Sequence, residues 1–172
     1  MSILSIDKTD FKGKIELSTS TTNVKLDNSI DQYEYDFLNK LLGPTLYEAF
    51  KTGLAETTPA DKWTNLRDGK IYSIGSDDFN IRFVGVKEMC LYFIFAEHIL
   101  NDLENTPNGS MELMSQNSTN PNRARIESES IKKYNIACNY YNEAIKFIRE
   151  NITDYSDFVP TFINYRWYKS NS

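Results

Sequence analysis

The sequence has little of what most enzymes need. It holds one histidine, His98, and two cysteines, Cys90 and Cys138, with no CxxC pair and no Cys/His cluster. P-loop, GxGxxG, GxSxG and HExxH patterns are all missing, so nucleotide, dinucleotide, serine-hydrolase and zinc-protease chemistry have no motif to rest on. Excess positive charge is missing too: 19 Lys and Arg stand against 24 Asp and Glu, a net charge of −5. A protein that grips phosphate backbones needs clustered cations, so that role is disfavoured. The longest apolar run, Met89–Ala96, has eight residues and charges close on both sides, while a bilayer span needs about twenty. The opening "MSILSIDKTDFKGK" is too polar for a secretory signal, so the thiols are expected to stay reduced inside a cell. The N-x-S/T triplets at Asn108, Asn117 and Asn151 then carry no meaning as glycan sites. No internal repeat is present.

What is present is helical periodicity and aromatic bulk. The 172 residues suit one domain and include eleven Tyr, ten Phe and two Trp. Residues 1–25 show no helical stripe and read as an extended arm, with a short strand near Ile15–Leu17. From Asp27, a plausible N-cap, Leu26, Ile30, Tyr33, Phe37, Leu38 and Leu41 share one stripe that ends at Gly43. Pro44 opens a second short helix carrying Tyr47 and Phe50, because proline suits the first helical position. Trp63 and Leu66 face inward on another short helix. "KIYSIGSDDFNIRF" alternates around a turn, the signature of a hairpin. "VGVKEMCLYFIFAEHILNDL" is apolar nearly all round, as in a central buried helix, with Leu91, Phe93 and Ile94 in its core. A last long helix starts near Asn120-Pro121, with Tyr134, Ala137, Cys138, Tyr141, Ile145, Ile148 and Ile152 on its inward stripe.

The expected fold is mainly α: a single helical domain of four or five helices, one small β-hairpin and extended terminal segments. Its parts are an arm at 1–25, a helical domain at 26–153 and an aromatic tail at 154–172. No catalytic, cofactor-binding or metal-ligating residue is assigned. His98 lacks a nucleophile partner and reads as a partly exposed structural histidine. Cys90 and Cys138 fall on core stripes and read as small buried hydrophobes. Asp77 and Asp78 suit a turn, and Asp154 and Asp157 are too few for a cation site. Arg123, Arg125, Lys132 and Lys133 alternate with Glu127 and Glu129, as on a solvated helix face.

Three segments exceed the needs of a monomer: the Ser/Thr-rich arm, the loop 105–119, and the tail. Such long loops are usually functional or disordered. Met, Tyr, Trp and Arg are favoured at interfaces. The expected subunit contacts are therefore Met111, Leu113 and Met114 in the loop, and Phe158, Phe162, Tyr165, Trp167 and Tyr168 in the tail.

The chain also resembles a known family. Asp10-Phe11, Leu26 with Ile30, Glu34 and "LLGPTLYEAF" look like the opening of the small helical head–tail connector (adaptor or neck ring) proteins of tailed phages, closest to those of Bacteroidetes and the crAss-like group. "KWTNLRDGKIYSIG", "VGVKEMCLYFIFAEHI" and "YNIACNYYNEAIKFI" resemble later parts of the same family, in the same order. The resemblance implies a virion structural protein made in the host cytoplasm, forming a dodecameric ring on the portal protein and meeting further neck or tail rings. Genomic DNA would pass through the ring without specific binding, and no cofactor, membrane or covalent chemistry is implied. The alternatives are another neck component (a stopper or tail-completion protein), a host-directed helical adaptor and, ranked last, a small enzyme.

Overall fold

The computed structural model describes residues 2–17, 23–74, 79–105 and 123–166. The predicted contacts Met111, Leu113, Met114, Trp167 and Tyr168, and the turn residues Asp77 and Asp78, lie outside the described residues. The fold is mainly α, as expected. Helix α1 spans Asn23–Leu54, α2 Asp61–Asp68, α3 Val86–Asn105 and α4 Arg123–Glu150. Between α2 and α3, strands β1 (Lys70–Ile74) and β2 (Phe79–Phe83) pair antiparallel, with Tyr72 opposite Ile81.

Helix α3 is the centre of the molecule. Met89 through Ala96 are all buried, so every side of that stretch meets protein. Helices α1 and α4 pack on it through aromatic rings. Phe37 stacks on Phe93 at 3.8 Å between centroids, and Tyr134 meets Phe93 edge-on at 5.1 Å. The edge-on Tyr134 contact suits the ring quadrupoles, while the Phe37–Phe93 stack contributes through the large apolar area it buries. The predicted core residues Phe37, Leu41, Tyr47, Phe50, Leu91, Phe93, Ile94, Tyr141, Ile145 and Ile148 are all buried. The α4 stripe departs at its last member: Ile152 lies past the end of α4 and is 44% exposed.

Sequence and structure meet closely at Gly43-Pro44. Helix α1 begins at Asn23, earlier than the expected Asp27, and runs on to Leu54 with one break. Gly43 sits at φ 71, a left-handed conformation that favours glycine. Pro44 has no N–H to give to the carbonyl four residues before it, that of Lys40. The two expected helices thus meet at a kink, the first ending at Gly43 and the second opening at Pro44, with an acceptor left over at the bend.

The N-terminal segment corrects the arm reading. Residues 2–17 form neither a loose arm nor a strand but two 3-10 turns, Lys8–Asp10 and Gly13–Ile15. Leu4, Ile6, Phe11, Ile15 and Leu17 are buried in the common core. The backbone hydrogen bonds of the turns are local: the Asp10 N–H donates to Asp7 O, and the Phe11 N–H to Lys8 O. Their shape therefore depends on the body beneath them. The tie point is Glu34 on α1, only 4% exposed. Its carboxylate accepts from the Ile3 N–H at 2.7 Å, the Leu4 N–H at 3.4 Å and the Ser2 hydroxyl. Burial pushes the Glu34 carboxyl above its ordinary range, although these three donors pull the other way. Lys87 on α3 adds a second tie, donating to Ser5 O at 3.2 Å and pairing with Asp10 at 3.2 Å.

Candidate interaction surface

The histidine and both cysteines are buried. His98 is 2% exposed, a correction to the partly exposed reading, and its Nδ1 lies 3.0 Å from Ser29 Oγ inside the α1–α3 contact. Burial holds the Cys90 thiol well above its usual range, with the Glu34 charge adding to the effect. Burial likewise pushes Cys138 up to about 11. A nucleophilic cysteine needs the opposite shift, toward thiolate. Among the described residues, no group of three or more His, Cys, Asp or Glu is placed to hold a metal ion. None of the helices there is long and apolar enough to cross a membrane. The charges on α4 pair along the helix, Arg123 with Glu127 at 2.8 Å and Lys133 with Glu129 at 2.9 Å.

Exposed apolar side chains gather at the C-terminal side. After α4 the chain turns at Asn151–Asp154 and runs back without regular structure as far as Arg166. It forms a strap across α4 and the bend of α1, and its anchors follow from the sequence. Pro44 leaves the Lys40 carbonyl without its helical donor. The Tyr141 hydroxyl donates to that carbonyl at 3.1 Å, and the strap's Thr161 hydroxyl bonds to it as well. Tyr141 and Thr161 lie 2.8 Å from each other. At the start of the strap, the Tyr155 hydroxyl donates to Lys62 O at 2.7 Å. At its far end, Asn135 takes Arg166 by both backbone groups, accepting from its N–H at 2.8 Å and donating to its O at 2.9 Å. The Arg166 guanidinium lies 3.8 Å from the Tyr134 ring centroid and pairs with Glu97 at 2.5 Å. Stacking of this kind favours arginine over lysine.

These anchors fix which strap side chains point away from the body. Tyr155, Phe158 and Ile163 are buried. Phe158 is thus a correction: it fills its own domain's core and is not open to another subunit. Val159 is 68% exposed, Phe162 75% and Tyr165 39%. Tyr165 is steadied there by Asn139, which accepts from its hydroxyl at 2.8 Å. Of the eight predicted contacts, Phe162 and Tyr165 are therefore presented outward. Val159, which sequence reasoning missed, joins them. No period in the tail marks it, since the inward residues Tyr155, Phe158 and Ile163 are unequally spaced.

A second surface lies at the base of the hairpin. Tyr72 and Phe83 pack inward on Phe147 of α4, with centroids 5.3 and 4.4 Å away. The opposite face carries Ile71 across from Arg82, with Ile71 65% exposed. At the neck, Gly69 (φ 91) and Gly85 (φ 90) pass backbone to backbone. A Cβ on Gly69 would meet the Phe83 carbonyl oxygen at 2.3 Å, and one on Gly85 the Arg67 carbonyl oxygen at 2.4 Å. Beside this crossing lies an open groove of about 280 Å³ lined by Asp68, Lys70, Ile71, Arg82 and Val84, among others.

The second half of α1, the other three helices and most of the strap fall within a described protein family. Residues 38–161, more than two thirds of the chain, match the model of a family of unknown function (DUF6712). The chain belongs to this family. The match starts just before the Gly43 bend and closes at Thr161, the residue that caps it. Among curated proteins and among solved structures, nothing matches the chain.

Proposed function

We propose that this chain is a structural subunit of a phage head–tail connector: one copy of a ring that docks on the portal, extends the DNA channel and offers the tail a surface to attach to. The observation that carries the proposal is the strap, pinned at both ends yet holding Val159 and Phe162 outward. Holding large apolar groups in water serves a monomer poorly, and an assembly subunit covers them. The sequence resemblance supports the same reading. Its "LLGPTLYEAF" covers the α1 bend, and its other pieces supply α3 and α4, so the likeness runs through the parts that position the strap. The acidic balance suits a wall that DNA slides past, since a wall of cations would hold phosphates. The subunit does no covalent chemistry in this role.

Electron microscopy of the purified chain with the portal protein tests the proposal. A ring seated on the portal is expected, together with the chain's peptides in purified virions. A chain that never joins portal or virions overturns the proposal.

A further inference from the structure

Residues 2–17 and the face beneath them are a matched pair that every copy of the chain carries. The segment buries Leu4, Ile6, Phe11, Ile15 and Leu17 in the common core. Its polar ties to the body run through side chains. Glu34 of α1 accepts from the Ile3 and Leu4 N–H groups and from the Ser2 hydroxyl. Lys87 of α3 donates to Ser5 O and pairs with Asp10. The backbone hydrogen bonds of the two turns are local, that from the Ile15 N–H to Lys12 O included. Along the seam with α1, a hollow of about 410 Å³ opens between Ser2, Ile6, Asp27, Ile30 and Asp31. The segment is therefore not close-packed on that side. A piece held by apolar burial and a few side-chain ties can leave the body as a unit while the helices stay formed.

We propose that residues 2–17 dock in trans: the segment of one copy takes the α1–α3 face of the next, in place of that copy's own segment, with Glu34 as the tie that opens. The occupant is fixed by what already sits there. The five buried side chains, the Glu34 donors and the Asp10–Lys87 pair are the same whether the segment comes from the same chain or a second one. Exchange gives up none of these contacts, and only the path of residues 18–22 (STSTT) changes. Swapping an identical element is an accessible route to assemblies. Neighbours held in a ring meet each other's segments at high effective concentration. The inference deepens the ring reading, on which it rests for the order of exchange from copy to next copy, and it can fail separately.

Cross-linking of mixed-isotope chains tests it. Light and heavy full-length chains are mixed, concentrated and treated with a carbodiimide, which joins a lysine to a carboxylate in contact with it. Asp10 and Lys87 lie 3.2 Å apart and should be joined. Mass spectrometry then reads whether each joined pair comes from one isotope or both. Dilute chains should give same-isotope pairs. On concentration, mixed-isotope pairs should rise toward the share that random mixing gives, and should sit in the larger species on sedimentation. Asp10→Asn should abolish the signal, which checks the assignment. Glu34→Ala should bring the mixed pairs on at least about tenfold faster, with circular dichroism checking that its helices persist. Same-isotope pairs alone at every concentration up to about 1 mM, or mixed pairs that form no faster in Glu34→Ala, overturn the inference. Virion peptides decide the other question. Their presence with same-isotope pairs alone removes the exchange and leaves the connector reading. Their absence with mixed pairs does the reverse.

Discussion

The two ends of the described chain are laid on the helical body by similar means and to opposite effect. Residues 2–17 and residues 151–166 are both non-helical apart from short turns, and both carry aromatic or branched side chains. Each is tied down by hydrogen bonds to a side chain or carbonyl of the body: Glu34 for the first, Lys40 and Asn135 for the second. Yet Leu4, Ile6, Phe11, Ile15 and Leu17 are all inside, whereas the strap keeps Val159 and Phe162 outside. A segment that buries its apolar residues completes a core. One that is anchored and still holds apolar residues in water presents a surface. What separates fold from function here is which residues the anchors leave facing outward.

The largest expected effect tests the N-terminal side of that contrast. Phe11→Ala should cost about 3–5 kcal/mol in denaturant unfolding, as for other buried phenylalanines. A loss under 1 kcal/mol would return the segment to the status of a loose arm.

Next comes the tie itself. Glu34→Ala strands donors of Ser2, Ile3 and Leu4 and should cost about 2–3 kcal/mol. Glu34→Gln keeps an acceptor and should be close to neutral. Because burial raises the Glu34 carboxyl in the folded chain, its protonated form favours folding. The contribution is present below the unfolded carboxylate range and is lost as pH rises through the raised folded value. Wild type should therefore lose stability across that window relative to Glu34→Gln. Parallel stability–pH curves for the two would refute this.

Smaller still is the strap's grip. Thr161→Val removes one hydroxyl from Lys40 O and should cost about 1 kcal/mol. Its clearer sign would be earlier proteolysis near Phe162, read by peptide mapping. Smallest on stability is Phe162→Ser, expected within about 0.5 kcal/mol of wild type because the side chain touches little of its own domain. A large loss of stability there would mean that Phe162 belongs to the core after all.

Much of this architecture was legible in the residues. The stripe of α4, the apolar run of α3 and the Gly-Pro bend each follow from side-chain periodicity or backbone chemistry, and apart from Ile152 each stands where expected. The N-terminal segment was not legible, because its apolar residues follow neither a 3.6 nor a 2 period. Irregular turns that borrow their shape from a groove leave no periodic trace. Glu34 was hidden for a related reason: on a helix rich in charge, nothing marks the one carboxylate whose donors come from about thirty residues away. In the tail, aromatic content pointed to contacts without telling inward from outward. Phe158 and Phe162 differ because Thr161 and Tyr155 pin the strap between and around them, and those bonds are tertiary.

Hydroxyl-radical footprinting, read by mass spectrometry on the free chain and on virions, tests the central contrast most directly. In the free chain Phe162 should label strongly and Phe11 weakly. In virions Phe162 should become protected while Phe11 stays as it was. A Phe162 labelled equally in both states, or virions without this chain, would contradict the account.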